Sequence, residues 1–253
     1  MEFTDRVLIL RVGRFRETDL WVRFLSPQHG VSSAFAFGGS LSRRRFSGCL
    51  DVFNEVIFSI KTARGGKYAA LQEGLLVRAP QRLRTDWKRL GLAVNCAKFV
   101  ESFGISPDSA EKTHALLLET LHVLEEEDEP PVNLPLLFRA RIAFDQGYAI
   151  ALSRCPHCGE QYAASPTLGF HVQEGCFFCA ACCSKYVSGK ILPVRHETLD
   201  ALARVQEYFP SRWRDGIFSS LSAAGHRDCA RIVEAFIEHH VGLRWDSSRF
   251  VRI

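Results

Sequence analysis

Apolar and polar residues alternate with a period of two through the first 80 residues. Arg6–Val12, Leu20–Leu25, Val31–Phe37, Val52–Lys61 and Lys67–Leu76 each read as a strand with one face turned inward. Turn-forming residues separate them: Ser26-Pro27-Gln28-His29-Gly30, then Gly38-Gly39, then Gly65-Gly66. Five short strands in so little chain predict a small closed barrel, and the OB-fold is the five-stranded barrel that fits.

The period lengthens to that of a helix from Thr85 onward. Leu83, Trp87, Leu90, Val94 and Ala97 line one predicted helical face. Leu117, Leu121 and Leu124 line a second, which runs into the acidic stretch Glu125–Glu129 and is broken by Pro130-Pro131. That acidic stretch reads as a solvated helix end. Leu136, Ala140, Ala143 and Phe144 mark a third helix. Leu199, Leu202, Ala203 and Val205 mark a fourth, and Cys229, Ile232, Val233, Phe236, Ile237 and His240 a last one closed by Gly242. The fold class is therefore α+β and multidomain. An OB barrel at 1–80 precedes a helical domain at 81–253, and a cysteine module is inserted at about 153–190.

That module carries the most specific chemistry in the chain. Cys155-Pro-His-Cys158 and Cys179-Ala-Ala-Cys182 each place two residues between thiols, and 20 residues separate the pairs. Such a turn aims two sulfurs at one point, and two turns complete a tetrahedron around zinc. Four thiolates leave no open coordination position, so one structural zinc is expected at Cys155, Cys158, Cys179 and Cys182. Cys176 and Cys183 flank the second pair, and Cys176/Cys179 is a rival pairing. His157 is expected to point away from the metal. Cys49, Cys96 and Cys229 sit alone in apolar surroundings and read as small core residues.

Charge changes the picture of the barrel. The net charge is +4, but residues 1–80 hold 12 Lys and Arg against 7 Asp and Glu, which points to a polyanionic partner. Arg14 and Arg16 lie in the first turn, and Arg43, Arg44 and Arg45 follow the Gly/Ser-rich Gly38–Ser42. Lys61, Arg64 and Lys67 flank the Gly65-Gly66 turn. Clustered Lys and Arg on loops neutralise phosphates without reading bases. Phe15, Phe35, Phe37 and Phe46 either stack on bases or fill the barrel.

Several classes are disfavoured. No run of 18 apolar residues spans a membrane, and Met1–Arg6 lacks a basic-then-apolar leader pattern, so a cytoplasmic protein is expected. There is no GxxxxGK[ST] loop and no GxSxG elbow. A zinc deaminase needs H-x-E ahead of P-C-x-x-C, but Arg154 precedes Cys155 and no histidine starts that motif. A zinc-dependent nucleic-acid-processing enzyme is the alternative to a non-enzymatic DNA-binding protein, and a protein-interaction scaffold is the third reading.

Specific residues resemble a known family. Glu17-Thr18-Asp19-Leu20, His29-Gly30, Gly38–Arg45, Arg45-Phe46-Ser47-Gly48-Cys49-Leu50 and Gly74 resemble the N-terminal barrel of the bacterial RecO recombination-mediator family. Phe138-Arg139-Ala140-Arg141 through Gly147-Tyr148 to Cys155–Gly159 resembles its helix and zinc finger. Cys176 stands where the family usually has the second of two glycines. The resemblance covers nearly the whole chain. It implies binding to single- and double-stranded DNA and annealing of complementary strands. It further implies partnership with RecR and with single-strand-binding protein (SSB) in the RecFOR pathway, loading RecA during gap repair near the nucleoid. The acidic SSB tail ends in an apolar residue and needs a greasy pocket with a cationic rim, for which Phe138, Arg139 and Arg141 are the candidates.

Overall fold

The computed structural model describes residues 2–63, 65–66, 68–162, 165, 167–186, 189–213 and 220–253. The chain divides into two compact units, residues 1–126 and 127–253.

The first unit holds strands β1 (Glu2–Arg14), β2 (Leu20–Ser26), β3 (Gly30–Ala36), β4 (Glu55–Thr62) and β5 (Ala69–Arg78). They form a closed barrel in the order β1-β2-β3-β5-β4. β4 returns antiparallel to β1, and β3 meets β5 in parallel at Phe35 and Ala70, as in a five-stranded OB barrel. The alternation places Val7, Ile9, Val22, Phe24, Ala34, Ala36, Val56, Phe58, Ile60 and Leu71 in one buried cluster. Each large side chain there contributes roughly 1.5–3 kcal/mol through burial. Gly74 is required by this packing: a Cβ on it would stand 2.7 Å from the Phe58 ring. β4 starts at Glu55, later than the pattern predicts. Phe53 takes a positive φ of 65°, and Asn54 donates to the carbonyls of Gly48 and Cys49 at 2.8 and 3.0 Å.

Three helices complete the first unit: α1 (Arg82–Thr85), α2 (Trp87–Phe103) and α3 (Pro107–Glu126). Asp86 caps α2 by accepting from the amides of Lys88 and Arg89. The buried face of α2 is Ala93, Cys96, Ala97, Phe99 and Val100. Trp87 and Leu90 are corrected accordingly: they are 78 % and 37 % exposed and do not line the buried face. The acidic run is corrected at one residue only, since Glu126, Asp128 and Glu129 are exposed as expected. Glu125 is buried, and its carboxylate accepts the amides of Gln81, Arg82 and Leu83 at 2.8, 2.8 and 3.0 Å, satisfying the start of α1.

The second unit is built around α4 (Leu134–Asp145), buried from Leu134 to Phe144. A helix covered on all sides is apolar on all sides, and its two arginines therefore need partners. A three-stranded sheet follows, β6 (Leu168–His171), β7 (Cys176–Cys179) and β8 (Ile191–Val194) in the order β7-β6-β8, with α5 (Ala180–Tyr186) after β7. Then come α6 (His196–Glu207), α7 (Ala223–Phe236), a π-helical turn at Ile237–Val241 and the hairpin β9 (Leu243–Asp246) and β10 (Arg249–Arg252). α7 buries Cys229, Ile232, Val233 and Phe236, and His240 Nε2 lies 2.8 Å from the carbonyl oxygen of Val172. Among the described residues no helix is long and apolar enough to cross a membrane.

Candidate metal centre and nucleic-acid interface

β7 and α5 deliver Cys179 and Cys182 to the turn that carries Cys155 and Cys158. The four sulfurs lie within 4.8 Å of one another, and Cys158 and Cys179 Sγ are 3.6 Å apart. A tetrahedron with bonds of roughly 2.3 Å has edges of about 3.8 Å, so the cluster fits a four-thiolate metal. Burial pushes the Cys155 thiol up, but the amides of Cys179, Cys158 and His157 outweigh it and bring it down to about 7. Cys182 is pushed up by burial and then by the neighbouring sulfurs. A dication among the sulfurs relieves that repulsion. Cys176 lies outside the cluster, 3.8 Å from Glu174 Oε2, with its thiol raised to about 12 by burial and then by Glu174. Cys183 Sγ lies 3.6 Å from the carbonyl oxygen of Phe178. His157 is exposed and is not one of the four clustered ligands; its Nδ1 is 3.8 Å from Cys182 Sγ, in the layer just outside the sulfurs.

On the barrel, four aromatic rings stand together outside the sheet. Phe35 lies 4.7 Å from Phe15, 5.9 Å from Phe37 and 6.3 Å from Tyr68, and Phe37 lies 6.3 Å from Tyr68. Phe15, Phe37 and Tyr68 are exposed. Phe35 points outward because its neighbours Ala34 and Ala36 point inward. Tyr68 was not singled out from sequence, although its exposed position beside a glycine turn was the available signal. Phe46 takes the second of its two readings and is buried in the barrel core.

The basic residues divide by what they touch. Arg16 lies over the Phe15 ring at 5.3 Å. Arg45 donates to the Phe37 carbonyl at 2.6 Å and lies over Phe46 at 5.0 Å, and its own carbonyl accepts the Gly74 amide at 2.8 Å. Arg43 and Arg44 are exposed and make no hydrogen bond or ion pair among the described residues, and Arg14 and Lys61 are exposed. Lys61 pairs with Ala70 across the β4–β5 ladder. Arg64 and Lys67 lie outside the described residues.

α4 treats its three candidates differently. Phe138 is fully buried. Arg141 bonds Asp145 at 2.9 Å and the carbonyls of Val205 and Tyr208 at 3.0 and 2.6 Å, so its guanidinium is held inside the unit. Arg139 stacks on Phe250 at 5.5 Å and lines a cavity of about 290 Å³ with Ile237, Leu243, Arg244 and Trp245.

The architecture defines a two-part protein: a basic OB barrel carrying surface aromatics, followed by a helical body with a four-cysteine cluster able to hold a metal ion. Two family models match it, Recombination protein O N terminal over residues 1–80 and Recombination protein O C terminal over residues 84–249. The DNA repair protein RecO of Nitratidesulfovibrio vulgaris is 50 % identical, with both chains covered in full. Those of Oleidesulfovibrio alaskensis and Lawsonia intracellularis are 48 % and 40 % identical over the same full extent. The chain belongs to the RecO family of DNA repair proteins.

Proposed function

We propose that this protein is a non-catalytic recombination mediator. It binds single- and double-stranded DNA, anneals complementary strands and, with RecR, helps load RecA onto SSB-coated single strands. The observation that carries the reading is the Phe15–Phe35–Phe37–Tyr68 surface, flanked by Arg14, Arg16 and Arg43–Arg45. Aromatic faces stack on any base and arginines grip any phosphate, so strands are held without base readout. In this reading residues 1–80 are the DNA-binding barrel and 81–253 the helical domain, working in the cytoplasm at the nucleoid. Cys155, Cys158, Cys179 and Cys182 hold one structural zinc, whose closed shell favours a stabilising over a catalytic role.

The SSB tail is assigned to the cavity lined by Arg139 and Arg244, with Phe138 and Arg141 shaping the helix beneath. Its apolar terminus meets Leu243 and Trp245, and its carboxylates meet the arginines. The deciding experiment is annealing of complementary strands with and without SSB. Parent protein should anneal both substrates, and Arg139→Ala should lose tail-peptide binding and the SSB-coated reaction while keeping the bare one. Failure of the parent to anneal bare strands refutes the mediator reading.

A further inference from the structure

One end of the barrel is hollow and carries a buried charge. Along β1 the inward series is Phe3, Asp5, Val7 and Ile9, so Asp5 stands where alternation calls for an apolar residue. It is 4 % exposed. Its Oδ2 accepts from the Ser26 hydroxyl and lies 3.6 Å from His29 Nδ1. Ser26 Oγ is itself fixed by the amides of Gln28 and His29 at 3.1 and 2.9 Å. The bond from Ser26 engages Oδ2, and a buried carboxylate gains from every further donor supplied to it.

Around Asp5 is a cavity of about 560 Å³, within the roughly 300–1,000 Å³ of small-ligand pockets. Phe3, Phe24 and Ile60 supply apolar wall, and Ser32 stands among its polar lining. The Phe3 ring packs against His29 at 5.0 Å. Tyr68 lines the cavity and also belongs to the aromatic surface through Phe35 and Phe37. The stacking surface and the hollow are therefore continuous.

We propose that this hollow captures one unpaired guanine from a bound strand, an inference that rests on the DNA-binding reading above. Aromatic walls suit the flat faces of a purine. A carboxylate accepts and does not donate, so it selects a base edge made of donors. Guanine presents two adjacent N–H groups on its pairing edge. Adenine and cytosine present one beside a bare acceptor, and thymine presents one between two carbonyls. The same carboxylate repels phosphate, which keeps the backbone outside with the arginines. The captured base punctuates an otherwise sequence-blind grip.

The test compares a thymine-only strand with the same strand carrying one central guanine, or hypoxanthine in its place, which lacks the 2-amino group. The guanine strand should bind at least about fivefold more tightly, with hypoxanthine between the two. Asp5→Asn should bring all three to equal affinity. Ser32→Phe, which plugs the mouth from its rim, should do the same and serves if Asp5→Asn does not fold. Equal binding of guanine and thymine strands by the parent overturns the proposal, as does a preference that survives both variants. A parallel titration with guanosine alone, followed by amide chemical shifts, separates the two readings. Shifts at Phe3, His29 and Tyr68 without strand binding keep the hollow and refute the DNA grip. Strand binding with no guanosine response refutes the hollow.

Discussion

Replacing Arg43 and Arg44 together by alanine tests the DNA grip where the structure makes a quantitative statement. Both guanidinium groups are exposed and make no ion pair or hydrogen bond among the described residues, so each can take a phosphate. Each phosphate contact contributes roughly 0.7–0.9 to the slope of log affinity against log salt. The double variant should therefore lower that slope by about 1.4–1.8, and over a fourfold rise in salt it should lose roughly tenfold less affinity than the parent does. Adding Arg45→Ala should not give a third equal step, because that guanidinium already bonds the Phe37 carbonyl and covers Phe46. The assay is fluorescence anisotropy of a labelled strand across a salt series. Zinc content and near-ultraviolet dichroism establish that the variant is folded. A double variant with the parent's slope refutes the reasoning and moves the phosphate path to Arg14, Arg16 and Lys61.

Further outcomes follow from the same packing. Cys158→Ser, or chelation at neutral pH, should lower the unfolding midpoint of residues 127–253 and leave strand binding by the barrel less affected, since structural metal energy is folding energy; elemental analysis finding no zinc in protein purified without chelator refutes the assignment. Glu125→Ala should destabilise the first unit by about 1–2 kcal/mol in urea unfolding, because three amides at the start of α1 lose their acceptor. Burial raises the Glu125 carboxyl, but the bonds from Arg82, Leu83 and Gln81 outweigh it and hold it below its ordinary value. Its contribution is thus complete above the usual carboxylate range and lost as pH falls through it, so Glu125→Gln should flatten stability in that window. His114 is buried with Nε2 unbonded among the described residues, and burial holds it below its usual value despite Glu55 and Asp5. The neutral form is favoured in the fold, so stability should fall as pH drops below about 6.5. His114→Leu should reduce that fall, measured as unfolding midpoints on either side of that pH.

The barrel was legible because a strand's period is local and its turns carry glycine. The cysteine pairs were legible for the same reason, since two residues between thiols set their geometry without help from distant chain. What escaped the sequence depends on separated segments. Trp87 and Leu90 fit the helical period, but α2 packs through Ala93, Cys96, Ala97, Phe99 and Val100. Glu125 looks like part of a solvated acidic run, and only the fold brings it to residues 81–83. Phe46 lies in a loop without a period, so nothing local says whether it faces core or solvent. Arg139 and Arg141 are two positions apart on one helix, yet one reaches a cavity and the other is held by backbone carbonyls. Sequence shows the shared charge and not the separate partners.

The bond network at Glu125 has a topological consequence. By fastening the end of α3 to residues 81–83, it makes α1–α3 an excursion that returns to its starting point. The chain thus leaves the first unit beside the place where it left the last barrel strand. Material added or removed at the far end of the excursion, around Gly104 and Ser106, changes the length of the detour and leaves that exit where it was. An insertion in the α2–α3 turn, such as a reporter peptide, therefore leaves that exit in place when it spares Ile105, which is buried with its carbonyl close to Gly30, because loop closure grows only slowly more costly with length. The same insertion at Pro80, between β5 and the clasp, would pull the two ends apart.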